Sequence, residues 1–308
     1  MSYLIWAGVT VCVAFLLFGG LLKRKGLSVR TAAVSLPLSI VLGFVFAKVF
    51  YVVFMQAEDV LTWGEWERFL DFQPRRMCFV CGAAGACLGV WLAARWTGQD
   101  RKKVLDCFAA PGALLVAGFR LAECTQGTLG LGSLAEGSGW LSGPPFVMAD
   151  AYGDPYVAVF FWEALAALVI GAFALIRKEA MDGHRFEKTV YCLCLCQILL
   201  ESMRNHSMRW GFVCVEMLLC AVIMVVLSLR ACRRNEKRTG RYRPVGIQLM
   251  GMGDIVAVEF ARQKAGIEFL ADYGYWMMAA VLLYMGFDYF RTLRENQFSS
   301  GKESAKGI

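Results

Sequence analysis

Long apolar runs separated by short polar stretches constrain this 308-residue chain more than anything else in it. They lie near 3–22, 34–54, 79–94, 105–122, 155–176, 189–203, 211–229 and 273–290. A helix of roughly 20 apolar residues crosses about 30 Å of hydrocarbon, and inside a bilayer only helices and closed barrels satisfy their own backbone. Hydrophobic residues make up 58% of the chain and charged ones 19%, which excludes an ordinary soluble domain. The expectation is an all-α, polytopic transmembrane helical protein with seven spans. The run at 273–290, bracketed by Asp272 and Asp288, is a candidate eighth span or an interfacial helix.

Basic residues in short loops are retained on the cytoplasmic side, so loop charge sets the orientation. The first loop carries Lys23, Arg24, Lys25 and Arg30 without an acid, and the third carries Arg95, Arg101, Lys102 and Lys103 against Asp100. The stretch from Arg230 to Arg243 is basic again. The second loop is acidic, with Glu58, Asp59, Glu65, Glu67 and Asp71, and 123–154 holds four acids and no Lys or Arg. These signs place the N-terminus outside. The first apolar run lacks a basic stretch before it and is followed by its positive charges, which marks a true first span rather than a cleaved signal peptide.

Residues 1–230 therefore read as a seven-span membrane domain, and 231–308 as a basic cytoplasmic segment with an extra interfacial or transmembrane helix. The cytoplasmic arginines suit anionic headgroups better than nucleic acid. The glycine-rich stretch from Gly127 to Gly139, followed by Gly143-Pro144-Pro145, predicts an irregular, mobile outer loop. Most of the twelve cysteines fall in spans, where cysteine behaves as a small hydrophobe. Cys78 and Cys81 form a CxxC, read as a redox or metal pair. With two histidines and no second CxxC, a zinc site is disfavoured, and neither metal nor cofactor is expected.

Several ionisable residues interrupt the apolar runs at one depth. Lys48 and Tyr51 sit one turn apart near the outer end of the second span, and Arg120 at the outer end of the fourth. Glu163 lies about two turns into the fifth. The sixth presents a stripe of Gln197, Glu201 and Arg204, which Glu216 continues from the seventh. A charge at the bilayer centre costs on the order of 3 kcal/mol on insertion scales, so a chain that keeps several usually lines a polar site. Singly, each basic residue could snorkel to headgroups with an acid beside it. Together, with Glu163 and Glu216 too deep to reach water easily, they point to a shared outer cavity. Arginines there suit a phosphate through forked, charge-assisted hydrogen bonds, which makes an anionic phospholipid of the outer leaflet the natural ligand. A small-solute transporter would place polar residues on both sides of the midplane, and the inner halves here are apolar.

Over roughly 34–230 these motifs resemble the prolipoprotein diacylglyceryl transferases, seven-span enzymes of the bacterial cytoplasmic membrane with their active site toward the outer leaflet. AKVFYVVF (47–54) is similar to the family's Gly-Arg-x-x-Tyr-Val, with Lys48 in the arginine's place. RMCFVCGAAGACLGV (76–90) is similar to its Met-Ser-Phe-His-Gly-Gly block. Asp106 through Arg120 resembles the approach to its Gly-Arg-x-Gly-Asn-Phe signature, Trp162-Glu163 stands for Tyr-Glu, and QILLESMR (197–204) resembles Arg-x-x-x-Glu-x-x-Arg.

The resemblance implies transfer of diacylglyceryl from phosphatidylglycerol to the lipobox cysteine of a preprolipoprotein, with release of glycerol 1-phosphate. It implies Arg120, Arg204, Lys48, Tyr51 and Gln197 around the lipid phosphate, with Glu123, Glu163 and Glu216 in support. Arg120, Glu201 and His206 are the catalytic candidates. Val80 stands where the family has histidine, Glu123 where it has asparagine, Thr128 where it has glutamate and Gln197 where it has a second arginine. His206, in the outer hairpin after Arg204, is an ordinary loop histidine or a replacement base, with Glu201 and Glu123 as competing acceptors. The alternative expectation is a catalytically impaired member that binds anionic phospholipid or a lipoprotein precursor.

Overall fold

The computed structural model describes residues 2–57, 69, 73–135, 143–150, 152–177, 183–205, 207–210, 213–234, 242–264 and 268–306. Its helices are α1 (Tyr3–Arg24), α2 (Arg30–Met55), α3 (Phe79–Trp96), α4 (Arg101–Ala122), α5 (Val159–Ile176), α6 (His184–Ser202), α7 (Val215–Arg233), α8 (Arg243–Lys264) and α9 (Glu268–Lys306). Among the described residues, α1 to α5, α7 and the Arg243–Ala261 part of α8 are long and apolar enough to cross a membrane. The chain is a multi-pass helical membrane protein.

The span expected at 189–203 corresponds to α6. Arg185, Glu187, Lys188 and Glu201 set that helix apart from its neighbours, and it is enclosed by α4, α5, α7 and α9. A helix surrounded by protein can carry polar groups that a lipid-facing helix cannot. Beyond residue 234 the described residues form two helices, α8 and α9. Gln248 and Asp254, with Gly246, Gly251 and Gly253, break the apolar pattern of α8 and hide it from a search for continuous runs.

Local chemistry explains the packing. Asp100 caps α4 by accepting from the Lys102 N–H at 2.9 Å. Lys23 and Arg24 close α1 at the negative end of its dipole. The α2–α3 contact is a seam of small residues. A Cβ on Gly85 would lie 2.4 Å from the Leu42 carbonyl oxygen, and one on Gly89 2.6 Å from the Ser39 nitrogen. Lipid tails offer no hydrophobic drive between helices, so such close backbone approach is what holds the pair together. The seam also gives the GAAGACLG stretch a structural purpose.

α6 to α9 share a separate core of larger side chains, including Tyr191, Met224, Met278, Met285 and Tyr289. The Tyr191 and Tyr289 rings stack at 3.8 Å, and the Gln248 amide donates to the Tyr191 hydroxyl at 2.6 Å. Described residues on both sides of residue 230 thus pack in one core.

The segment expected to be irregular after α4 forms a small sheet among its described residues. A 3-10 turn (Glu123–Thr125) leads to an antiparallel sheet of order β1-β3-β2, built from β1 (Leu131–Leu134), β2 (Val147–Ala149) and β3 (Pro155–Ala158). The apolar run assigned to the fifth span thus starts as a strand and becomes helical at Val159. A second antiparallel pair, β4 (Arg209–Trp210) and β5 (Val213–Cys214), joins α6 to α7. Both sheets lie where α4 and α6 end and where α5 and α7 begin. The opposite end carries Lys23, Arg24, Arg101, Lys102, Arg230 and Arg233, and is here called the basic end.

Candidate functional site

At the sheet end, α4, α5, α6 and α7 bring two arginines and four glutamates into one buried cluster. Arg120 comes from the last turn of α4 and is 2% exposed. Its guanidinium lies 2.6 Å from Glu123, 3.2 Å from Glu163, 3.4 Å from Glu216 and 3.9 Å from Glu201. Arg204, just past α6, lies 2.5 Å from Glu123, 2.6 Å from Glu163 and 3.6 Å from Glu201. The two cations therefore share three carboxylates. Each guanidinium stays buried because at least one carboxylate meets it at hydrogen-bond distance.

Backbone devices fix this arrangement. Arg204 bridges to Gly132, and the Asn205 N–H donates to the Leu131 carbonyl at 3.1 Å, so the sheet holds the end of α6 in place. The Asn205 amide also donates to the Gly132 carbonyl. Gly130 has φ +82°, and a Cβ there would lie 2.7 Å from a Glu123 carboxylate oxygen. Glycine is thus required both for the backbone conformation and for the approach of β1 to the cluster.

The site includes groups that sequence reasoning did not name. The Phe79 N–H, at the open first turn of α3, donates to Glu216 at 2.6 Å. The Arg120 guanidinium lies 3.9 Å from the centre of the Phe79 ring, in a cation–π contact. Gln197 donates to Glu201 at 2.9 Å, and the Cys214 thiol donates to the other Glu201 oxygen at 3.7 Å. Phe79 sits in the block singled out at 76–90, but nothing in that block marks its backbone N–H as a carboxylate donor. Cys214 lies in the apolar run 211–229, where cysteine is expected to pack as a small hydrophobe.

Of the residues expected to converge, Arg120, Glu123, Glu163, Gln197, Glu201, Arg204 and Glu216 meet directly. Lys48 is 1% exposed and on α2, where its ammonium donates to the Arg76 carbonyl at 3.4 Å and lies 5.9 Å from the Tyr51 ring centre. A backbone link joins its neighbour to the cluster: the Ala47 carbonyl accepts from the Cys78 N–H at 2.9 Å, and the next residue, Phe79, reaches Glu216. Val80 is buried in the α6–α9 core cluster. Thr128 accepts from Arg75 at 3.1 Å, tying the turn before α3 to the loop before β1. His206 lies outside the described residues.

Cys78 and Cys81 are both buried. Hydrogen bonding with Cys81, burial and the Glu216 carboxylate hold the Cys78 thiol above the ordinary thiol range, the opposite of what a reactive redox cysteine needs. Among the described residues, no group of three or more His, Cys, Asp or Glu is disposed to hold a metal ion.

The cluster can do two things chemically. Its two guanidinium forks can neutralise a phosphate if they part from carboxylates, and its carboxylates can accept a proton from a group brought beside them. A family model described as prolipoprotein diacylglyceryl transferase matches the chain over residues 1–232. No curated protein matches it.

Proposed function

The chain belongs to the prolipoprotein diacylglyceryl transferase family, and from that premise we propose that it moves the diacylglyceryl group of phosphatidylglycerol to the lipobox cysteine of a preprolipoprotein. The reaction takes place at the outer leaflet of a bacterial cytoplasmic membrane. The observation that supports this reading best is the convergence of Arg120 and Arg204, from two different helices, on shared carboxylates in one buried site.

In the transfer, the thiol sulfur attacks the glyceryl carbon that bears the phosphodiester oxygen. The C–S bond forms as the C–O bond breaks, and the electron pair stays on the phosphate, which leaves as glycerol 1-phosphate. Arg120 and Arg204 exchange carboxylate partners for the phosphate and stabilise its growing charge. The thiol proton passes to Glu201, which Gln197 orients at 2.9 Å. Gly132 bridges to Arg204, and Cys214 of β5 donates to Glu201, so the sheet and the β4–β5 pair both touch the cluster.

One observation favours a second reading. Two guanidiniums face four carboxylates, a formal balance of 2 − 4 = −2 with every group ionised, so the closed cluster presents no positive field to a phosphate. A catalytically impaired member holding a lipoprotein precursor would suit that balance better than one holding an anionic phospholipid.

Purified protein mixed with a lipobox peptide and phosphatidylglycerol labelled in its acyl chains separates the readings. The transferase reading expects label on the peptide, equimolar glycerol 1-phosphate, and loss of both with Arg120→Ala or Glu201→Ala. Peptide binding without label transfer would replace it with the second reading.

A further inference from the structure

A second set of buried polar groups lies between α8 and α9, outside the arginine–glutamate cluster. Gln248 on α8 is 0% exposed and Asp288 on α9 is 8% exposed. The side-chain carbonyl oxygen of Gln248 and one carboxylate oxygen of Asp288 are sealed from solvent and meet no hydrogen-bond partner among the described residues. A buried carboxylate is strongly unfavourable unless something neutralises it, so this one calls for a counter-charge.

Their placement around one turn of α9 carries the argument. The Gln248 amide nitrogen donates to the Tyr191 hydroxyl at 2.6 Å and to the Met285 carbonyl at 3.3 Å, which holds the attached carbonyl oxygen beside the Met285 turn. Asp288 follows Met285 by three residues, so it shares that face of α9, and a helical side chain leans back over the preceding turn. The Tyr191 hydroxyl is within electrostatic reach of Asp288. Tyr289 stacks on Tyr191 at 3.8 Å, and its buried hydroxyl also meets no hydrogen-bond partner among the described residues. The neighbouring donors are engaged elsewhere. The Tyr191 hydroxyl donates to the Met285 carbonyl at 3.2 Å, the Thr292 hydroxyl donates to the Asp288 backbone carbonyl at 2.9 Å, and Arg291 pairs with Glu295 at 3.2 Å. This layer therefore presents more oxygen acceptors than the described donors satisfy.

We propose that Asp288 and Gln248 bind one monovalent, sodium-sized cation between α8 and α9. Hard oxygen donors suit a hard cation, and a single carboxylate among neutral oxygens balances one positive charge but not two. A proton on Asp288 would give one donor to one neighbour, whereas a cation gathers several oxygens at once. The ion clamps α8 to α9 and, through the Gln248–Tyr191 hydrogen bond, to α6. Gln248 and Asp288 lie beyond the residues matched by the family model, 1–232, so the site belongs to the C-terminal helices and does not depend on transfer chemistry.

Thermal unfolding of the full chain in neutral detergent, with sodium chloride replacing N-methylglucamine chloride at constant ionic strength, tests the site. The wild-type midpoint is expected to rise by about 2–4 °C once sodium reaches about ten times its dissociation constant. Asp288→Asn keeps the shape of the side chain and removes its charge, so the sodium response is expected to disappear. Equilibrium binding of radioactive sodium to the wild type is expected to saturate at about one ion per chain, a measurement that stands even if the variant fails to fold. Gln248→Leu is expected to weaken that binding about tenfold. No saturable sodium binding, or a sodium response equal in wild type and Asp288→Asn, would overturn the proposal. A wild-type midpoint that ignores sodium and rises on acidification would assign the carboxyl to a proton and overturn it as well.

Discussion

Arginine does opposite work at the two ends of this bundle. At the sheet end, Arg120 and Arg204 are sealed among glutamates, and their charges hold four helices together. At the basic end, Arg230 and Arg234 meet one carboxylate, Glu187, at 3.8 and 2.8 Å, with side chains 60% and 30% exposed. The same side chain is thus a sealed tie in one place and a half-open clasp in the other. Which role it takes depends on the carboxylates that the fold brings to it.

Removing one charge from each end should produce the widest contrast. Arg204→Ala leaves Glu123 and Glu163 without their 2.5 and 2.6 Å partner in a buried site. Breaking a buried pair in this way costs about 3–5 kcal/mol, so a fall of several degrees in the unfolding midpoint in detergent is expected, with loss of transfer. Arg294→Ala, at the exposed end, should stay within about 0.5 kcal/mol of wild type in the same measurement. Equal effects at both ends would dissolve the comparison.

A smaller contrast separates the glutamates from one another. Glu201→Gln keeps the shape of the acceptor and removes its ability to take a proton, so transfer should fall about 100-fold or more. Glu123→Asn works in the other direction. It installs the residue that the family signature carries at this position and relieves one of the four negative charges facing two arginines. Phosphatidylglycerol binding, measured by titration in detergent, should tighten about tenfold. Weaker binding in that variant would show that Glu123 is needed to aim the arginines, and that the excess of carboxylates does not limit phosphate entry.

The sheet-end cluster was legible from the sequence because a charge within an apolar run is costly enough to be informative. Arg120, Glu163, Glu201, Arg204 and Glu216 announced themselves in that way, and helical spacing put Gln197 on the face of Glu201. The donors that complete the cluster were not legible. The Phe79 N–H reaches Glu216 only because α3 begins beside α7, and Cys214 faces Glu201 only because β5 turns back under α6. β1 is four residues long and contains Gly132 and Ser133, so it offers no alternation to detect. The helix α8 was hidden for a related reason. Its glycines read as breaks, yet Gly251 is where Met285 of α9 packs, its sulfur 2.4 Å from where a Cβ would stand. At the basic end Glu187 meets Arg230 and Arg234 only because α6 begins where α7 ends, and no local pattern records that meeting.

α6 passes both ends, and its neighbours test whether α8 and α9 belong to the same cooperative unit. The Tyr191 hydroxyl receives the Gln248 amide at 2.6 Å and donates to the Met285 carbonyl at 3.2 Å. Tyr191→Phe keeps the stacked ring and removes both bonds, so a loss of about 1–2 kcal/mol is expected in global unfolding. If only a separate, early transition moved, α8 and α9 would be an appendage rather than part of the core.

Ionic strength gives the finest comparison of the two ends. The screening length falls from about 10 Å at 0.1 M salt to about 3 Å at 1 M, and it acts on charges that water can reach. The ion pairs of Arg120 and Arg204 have side chains 8% exposed or less, so salt should leave the midpoint change caused by Arg204→Ala within about 1 kcal/mol of its low-salt value. At the basic end Glu187 holds Arg230 and Arg234 through side chains 60% and 30% exposed, so the destabilisation caused by Arg234→Ala should shrink between about 0.05 and 0.5 M salt. A salt-insensitive effect there would mean that this clasp is as closed as the sheet-end cluster, and the comparison between the two ends would fail.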